Sequence, residues 1–191
     1  MDLLHHTRIT ARANRLANHR LHQSMAPLSD ADFHAPRTGF FPSLGATLNH
    51  VLAVDGYYLA ALHREPDMAQ QWSRFVPATT LTELARRQAT ADERLIAFCD
   101  ALDVAALDAV IELDRIRLVQ HERVGHVLAH LAMHQTHHRG QAHAMLSGTV
   151  VKPPQLDDFL MPSEPHVRSV EMAALGWQEL AVYGPLPGLD R

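Results

Sequence analysis

A single cysteine, Cys99, stands in 191 residues, and one thiol can form neither an internal disulfide nor a paired zinc or redox motif. It falls among Leu95, Ile96 and Phe98, so it reads as a small buried core residue rather than a reactive thiol. Long apolar runs are also missing: no stretch reaches the roughly 18 residues that a membrane span needs. Runs of Lys or Arg are missing too, and the net charge is −4 with histidines neutral, which speaks against nucleic acid and acidic membrane as partners. The opening Met-Asp-Leu-Leu-His-His-Thr-Arg lacks a basic start with an apolar run behind it, so no secretory signal is expected and a cytoplasmic location is.

What is present is ordinary in bulk, 47% hydrophobic and 20% charged, enough for one sizeable core. One domain is expected over residues 1–191, a helical core over 1–148 and an extension over 149–191. Histidine is the abnormal count, fifteen in all, so the chain is read for metal.

Ile9, Ala13, Leu16, Ala17 and Leu21 recur at helical spacing and predict a first helix from about Leu4 to Met25. Pro42 suits the first turn of a second helix running to about His63, apolar on most sides and therefore central. Thr80-Leu-Thr-Glu83 has the spacing of a capping box and opens a third helix to about residue 102. Residues 103–120, with Val110, Ile111, Leu113, Ile116 and Leu118, fit an irregular segment, a short helix or two short strands. A fourth helix runs from about Glu122 to Leu146 and stops at Ser147-Gly148; after Lys152-Pro-Pro a last amphipathic helix ends near Tyr183. The expected fold is all-α, an antiparallel four-helix bundle with an additional C-terminal helix, whose interior can take ligands from facing helices.

On the fourth helix His126, His130, His134 and His138 recur every fourth residue, joined by His137 and His143. Each such step drifts about 40° round the helix, so adjacent members can share an ion and the ends of the ladder cannot. With His134 at zero, Val127, Leu131, Val124, Leu128, Ala142 and Met145 centre the apolar arc near about 70°. His138, at about 40°, lies inside that arc and His134 at its edge, whereas His130, His137 and His126 fall outside, from about −40° to about −80°. The pair His134 and His138 is therefore expected to bind, because two buried neutral imidazoles one turn apart are satisfied together by one divalent ion. A His-Glu-x-x-His metalloprotease is not expected, since Gln135 stands where the general base would be. A third ligand must come from elsewhere, among His5, His6, His19, His22, His34, His50, His63, His121 and His166. His50 has the interior of the most buried helix in its favour, although it sits roughly 110° from that helix's apolar centre.

Gly45-Ala-Thr-Leu-Asn-His50, with Asp55 five residues later, and His134-Gln-Thr-His-His138-Arg-Gly-Gln141 resemble the DinB family of damage-inducible metalloproteins. The similarity runs from the first helix to Leu146, and Gln155-Leu-Asp-Asp-Phe-Leu160 is similar to the family's segment after the last bundle helix. The resemblance implies a four-helix bundle, a divalent metal such as zinc or nickel on His50, His134 and His138, and commonly a homodimer. Some relatives are transferases or isomerases that use a low-molecular-weight thiol. Three neutral imidazoles leave an ion with an open position, as in catalytic sites. The leading expectation is thus an enzyme that activates a thiol or water for transfer to a small electrophile, ahead of a thiol-independent hydrolase and a non-catalytic stress-response protein. Asp55, Arg139 and Gln141 are candidates for orienting a ligand or holding substrate. For Arg139, at about 140° on the wheel, a surface salt bridge is the stronger expectation; for Asp55 a buried carboxylate capping a neighbouring helix is an equal one. Tyr57 and Tyr58 are read as packing groups.

Overall fold

The computed structural model describes residues 2–66, 68–115 and 117–185; Ile116, within segment 103–120, lies outside them. Four long helices carry the molecule: α1 (Leu3–Met25), α3 (Leu44–Leu62), α5 (Leu81–Ala101) and α7 (Val124–Leu146). Short helices α2 (Asp30–His34), α4 (Met68–Ser73) and α6 (Val104–Asp108) sit in the connections. Segment 103–120 resolves into α6 and the first strand of a hairpin, β1 (Val110–Asp114) paired antiparallel with β2 (Val119–Arg123). Ile111 and Leu113 face the core by strand alternation, which is the period-two pattern the weakly alternating sequence contained. Because β2 takes residues 119–123, α7 begins at Val124 rather than at Glu122.

Side chains start the helices. Asp2, Ser43 and Thr80 accept the orphan amides of His5, Ala46 and Glu83 at the N-termini of α1, α3 and α5. The return arm of the Thr80 box lands one residue early, Glu83 accepting from the Thr79 amide at 3.3 Å.

Each long helix packs on two others, in the cyclic order α1, α5, α3, α7. Pairs such as Asn14 with Asp92 and Arg12 with Asp100 make α1 and α5 antiparallel, and His50 with His134 and Thr47 with Met145 do the same for α3 and α7. By contrast Asn49 with Ala78, Asp55 with Gln88 and Glu65 with Arg94 rise together, so α3 and α5 run parallel, and α1 and α7 must as well. Parallel neighbours cannot be joined by a tight turn, which is why residues 63–80 form a long crossover containing α4.

The last predicted helix is broken. A 3-10 turn (Pro165–Arg168) leads into α8 (Ser169–Ala174), Gly176 takes φ 67° and α9 (Glu179–Tyr183) comes after it. These pieces lie on α1, where Phe159, Met172, Val182 and Tyr183 cover Ile9, Ala13, Leu16 and Ala17. None of the described helices is long and apolar enough to cross a membrane.

Candidate metal centre

At mid-height between the antiparallel helices α3 and α7, His50, His134 and His138 converge. One ring nitrogen from each lies within 4.8 Å of the other two, and among the described residues this is the group of such side chains that could hold a metal ion. The Nε2 atoms of His50 and His134 are 3.1 Å apart. Two nitrogens at about 2.0–2.1 Å from one ion in a tetrahedral arrangement are about 3.3 Å apart, so the donor set fits a divalent ion. His138 completes the triangle, its ring centroid 4.7 Å from that of His50 and 4.4 Å from that of His134.

All three imidazoles are held in the neutral, lone-pair form. Burial and the surrounding imidazoles His138, His50, His130 and His137 push His134 down to about 3, and burial with the nearby His138 lowers His50. Burial also lowers His138, against an opposing hydrogen bond with Gln141. In that bond His138 Nδ1 donates to Gln141 Oε1 at 2.8 Å, which fixes the tautomer and leaves Nε2 as a free donor atom. Gln141 in turn donates to His137 Nε2 at 3.0 Å, the role found for that outward histidine. The Nδ1 of His134 is buried without a hydrogen-bond partner.

Aromatic groups frame the trio. Phe41, in the loop before α3, packs tilted against His50 and His138 with ring centroids 4.5 and 5.6 Å away, and the exposed Trp72 of α4 approaches His50 edge-on at 6.2 Å. His50 and His134 remain half-buried and His138 is buried, so the cluster lies near the surface. Neither aromatic was legible as part of the site, since loop conformation and the crossover position them.

Asp55 and Arg139 sit elsewhere. Asp55 bonds none of the imidazoles; it accepts from Gln88 Nε2 at 2.7 Å and from Gln135 Nε2. Arg139 is not in a surface salt bridge but buried, its Nη1 donating to Asn14, to Asn18 at 3.1 Å and to Gln135 at 3.2 Å. The wheel failed there because α7 is covered by α1 as well as α3, widening its buried face. Asp92 closes the network, accepting from Asn14, Asn18 and Gln88 at 3.2, 3.0 and 3.1 Å. Burial and the neighbouring Asp92 push Asp55 up to about 8, and burial pushes Asp92 up to about 6. Burial lowers Arg139 to about 10. Near pH 7 one arginine cation therefore faces one carboxylate and one carboxylic acid, a neutral set. The signal for it was in the sequence as polar pairs four apart on three helices: Asn14 and Asn18, Gln88 and Asp92, Gln135 and Arg139.

Of the other third-ligand candidates, His22 is buried and pushed to about 3 by burial and by Arg15, and His34 bonds the Thr79 carbonyl at 2.8 Å. His5 and His19 are half-buried on α1, and His6, His63, His121 and His166 are exposed. Cys99, Tyr57 and Tyr58 are buried as expected, and burial holds the thiol up at about 12.

A family model described as DinB family matches residues 5–167, most of the chain, and so takes in all three converging histidines. No curated protein matches the chain.

Proposed function

The chain belongs to the DinB family, and from that premise we propose that His50, His134 and His138 bind one divalent ion, zinc or nickel, in a metal-dependent enzyme. The observation that carries this reading is the convergence of three neutral ring nitrogens with no carboxylate among them, close to the surface. A bound ion would lower the pKa of a coordinated thiol or water and present it to a small electrophile. The chain's own residues supply the rest. Gln141 holds His138 in the tautomer that offers Nε2. Phe41 and Trp72 give the approach an apolar wall and limit water beside His50. Gln135, bonded to Asp55 and Arg139, seats α7 against its neighbours and so fixes where His134 stands.

A low-molecular-weight thiol as cosubstrate, a homodimer and a cytoplasmic location belong to the same proposal. Metal analysis of protein purified without a histidine tag tests it: close to one ion per chain is expected, and a preparation that also refuses added zinc and nickel overturns it. Turnover of an alkyl halide with and without added thiol separates thiol transfer from hydrolysis, and sedimentation tests the dimer.

A further inference from the structure

Two cavities lie along one seam, between the parallel helices α1 and α7, on the side of α7 turned away from the three imidazoles; Thr10, Asn14 and Ala132 line both. The seam is open because facing residues are small, Ala13 and Ala17 on α1 against Ala132 and Gly140 on α7. A Cβ at Gly140 would meet nothing within 4 Å. One of the two cavities, about 440 Å³, is walled on one side by Leu156, Phe159 and Leu160 and opens to solvent on another. That volume lies within the roughly 300–1,000 Å³ of small-molecule sites.

Arg139 gives this cavity its chemistry. It lines the space and is only 8% exposed. Its Nη1 is saturated by three amide oxygens, whereas Nε and Nη2 donate to no described residue, and among the described residues no carboxylate lies within 4.0 Å of it. Neither nitrogen is sealed off, since neither is among the fully buried polar atoms that lack a partner. Nε and Nη2 form the edge of a guanidinium whose parallel N–H groups match the two oxygens of a carboxylate. This chain uses that edge twice on its own acids: Arg20 on Glu171 at 2.7 and 2.9 Å, and Arg168 on Glu179 at 2.9 and 2.8 Å. Asp55 and Asp92 reach Arg139 only through the intervening amides.

We propose that this cavity is a second ligand site, separate from the three imidazoles, which binds a small organic carboxylate on the free edge of Arg139. The apolar body of the ligand packs on Ala13, Leu156 and Phe159. Thr136 and His143 offer further polar contacts from α7. Asp157, the carboxylate in the lining, is exposed and takes a hydrogen bond from Gln155, which keeps it at the rim. A single carboxylate on an apolar body therefore suits the site better than a polyanion.

The test is calorimetric titration of the full chain with benzoate and hexanoate, and with benzyl alcohol and hexanol as neutral counterparts, metal content being measured alongside. The carboxylates are expected to bind at least tenfold more tightly than the alcohols. Gly140→Phe, which fills the cavity from a helix position that tolerates a side chain, should abolish binding. Arg139→Lys, which keeps charge and loses the fork, should weaken it about tenfold. His138→Ala should leave it unchanged; loss of binding in that variant would place the carboxylate on the imidazole cluster and overturn the proposal. So would equal affinity for acids and alcohols, undiminished binding to a folded Gly140→Phe, or a second copy of the chain found seated in the seam.

Discussion

Helix α7 presents two faces of opposite character. Toward α3 it turns His134 and His138, whose ring nitrogens are kept neutral and gathered with His50 near the surface. Toward α1 and the bundle interior it turns Gln135 and Arg139, which lie deep: Arg139 donates to Asn14, Asn18 and Gln135, and Gln135 donates to Asp55. Both faces are polar, and both depart from the apolar rule for bundle interiors. The difference is in how donors and acceptors are satisfied: the amide network closes within the chain apart from one edge of Arg139, whereas the imidazole cluster leaves its lone pairs turned on one another. Polar groups satisfied internally hold helices in register, and polar groups left convergent and unsatisfied wait for something from outside.

The sharpest way to separate the two faces is to break the closed one. Arg139→Ala leaves three buried amide oxygens, on Asn14, Asn18 and Gln135, without their donor, so a loss on the order of 3–5 kcal/mol is expected. Urea unfolding measures it, and the folded fraction should still take up metal. A loss below about 1 kcal/mol would show the network to be dispensable.

The open face should respond to metal instead. Chelation is expected to lower stability by about 2.7 kcal/mol where free ion had stood at a hundred times its dissociation constant, because a ligand bound by the folded state alone stabilises it by mass action. His50→Ala and His138→Ala should reproduce the chelated protein, while His137→Ala and His143→Ala keep their ion. An unchanged melting curve after confirmed metal removal would defeat the claim that the site ties α3 to α7.

The closed face also has a pH signature. Asp55 titrates at about 8 in the folded chain against its ordinary value of 3.8, so its contribution to stability is complete below 3.8 and is lost as pH rises through about 8. The lowered histidines act in the opposite sense, but their effect is complete above the ordinary value of 6.5. From pH 6.5 to 8, stability of the chelated protein should therefore fall with rising pH, at up to about 1.4 kcal/mol per unit for one proton. Asp55→Asn should flatten that slope, and a slope left intact in a folded variant would assign it to another group.

The smallest expected effect lies at the outer edge of the imidazole face, where Gln141 bonds His138 and His137. Gln141→Ala frees the tautomer of His138, which should weaken metal binding about tenfold, or about 1.4 kcal/mol, with little change in the stability of metal-free protein. Competition with a chelating dye reads the affinity, and no change would remove Gln141 from the site.

The four long helices could be read within a few residues, because each carries helically spaced apolar residues over five or more turns, as a stripe or, in α3, on most sides. The same wheel separated His134 and His138 from His126, His130 and His137, since direction round one helix is a local property. His50 was different: its position on its own wheel argued against it, and only the family resemblance selected it. In the fold it stands where α3 crosses α7, at the boundary between core and surface, where a histidine off the apolar centre still reaches its partners. Arg139 fails by the same reasoning in reverse, a residue outside the apolar arc that a second neighbour, α1, buries.

By itself, then, the sequence determined the helical class, the bounds of the long helices and the two imidazoles that share one face of α7, all of which depend on spacing along a single rigid element. Tertiary structure decided what depends on two or more elements: the parallel crossover, the hairpin before α7, the place of His50 and the closed network. It also decided the cavity left between α1 and α7. The physical reason is that hydrogen-bond partners and burial belong to pairs of helices, and which helices become neighbours is set by the packing of the whole chain.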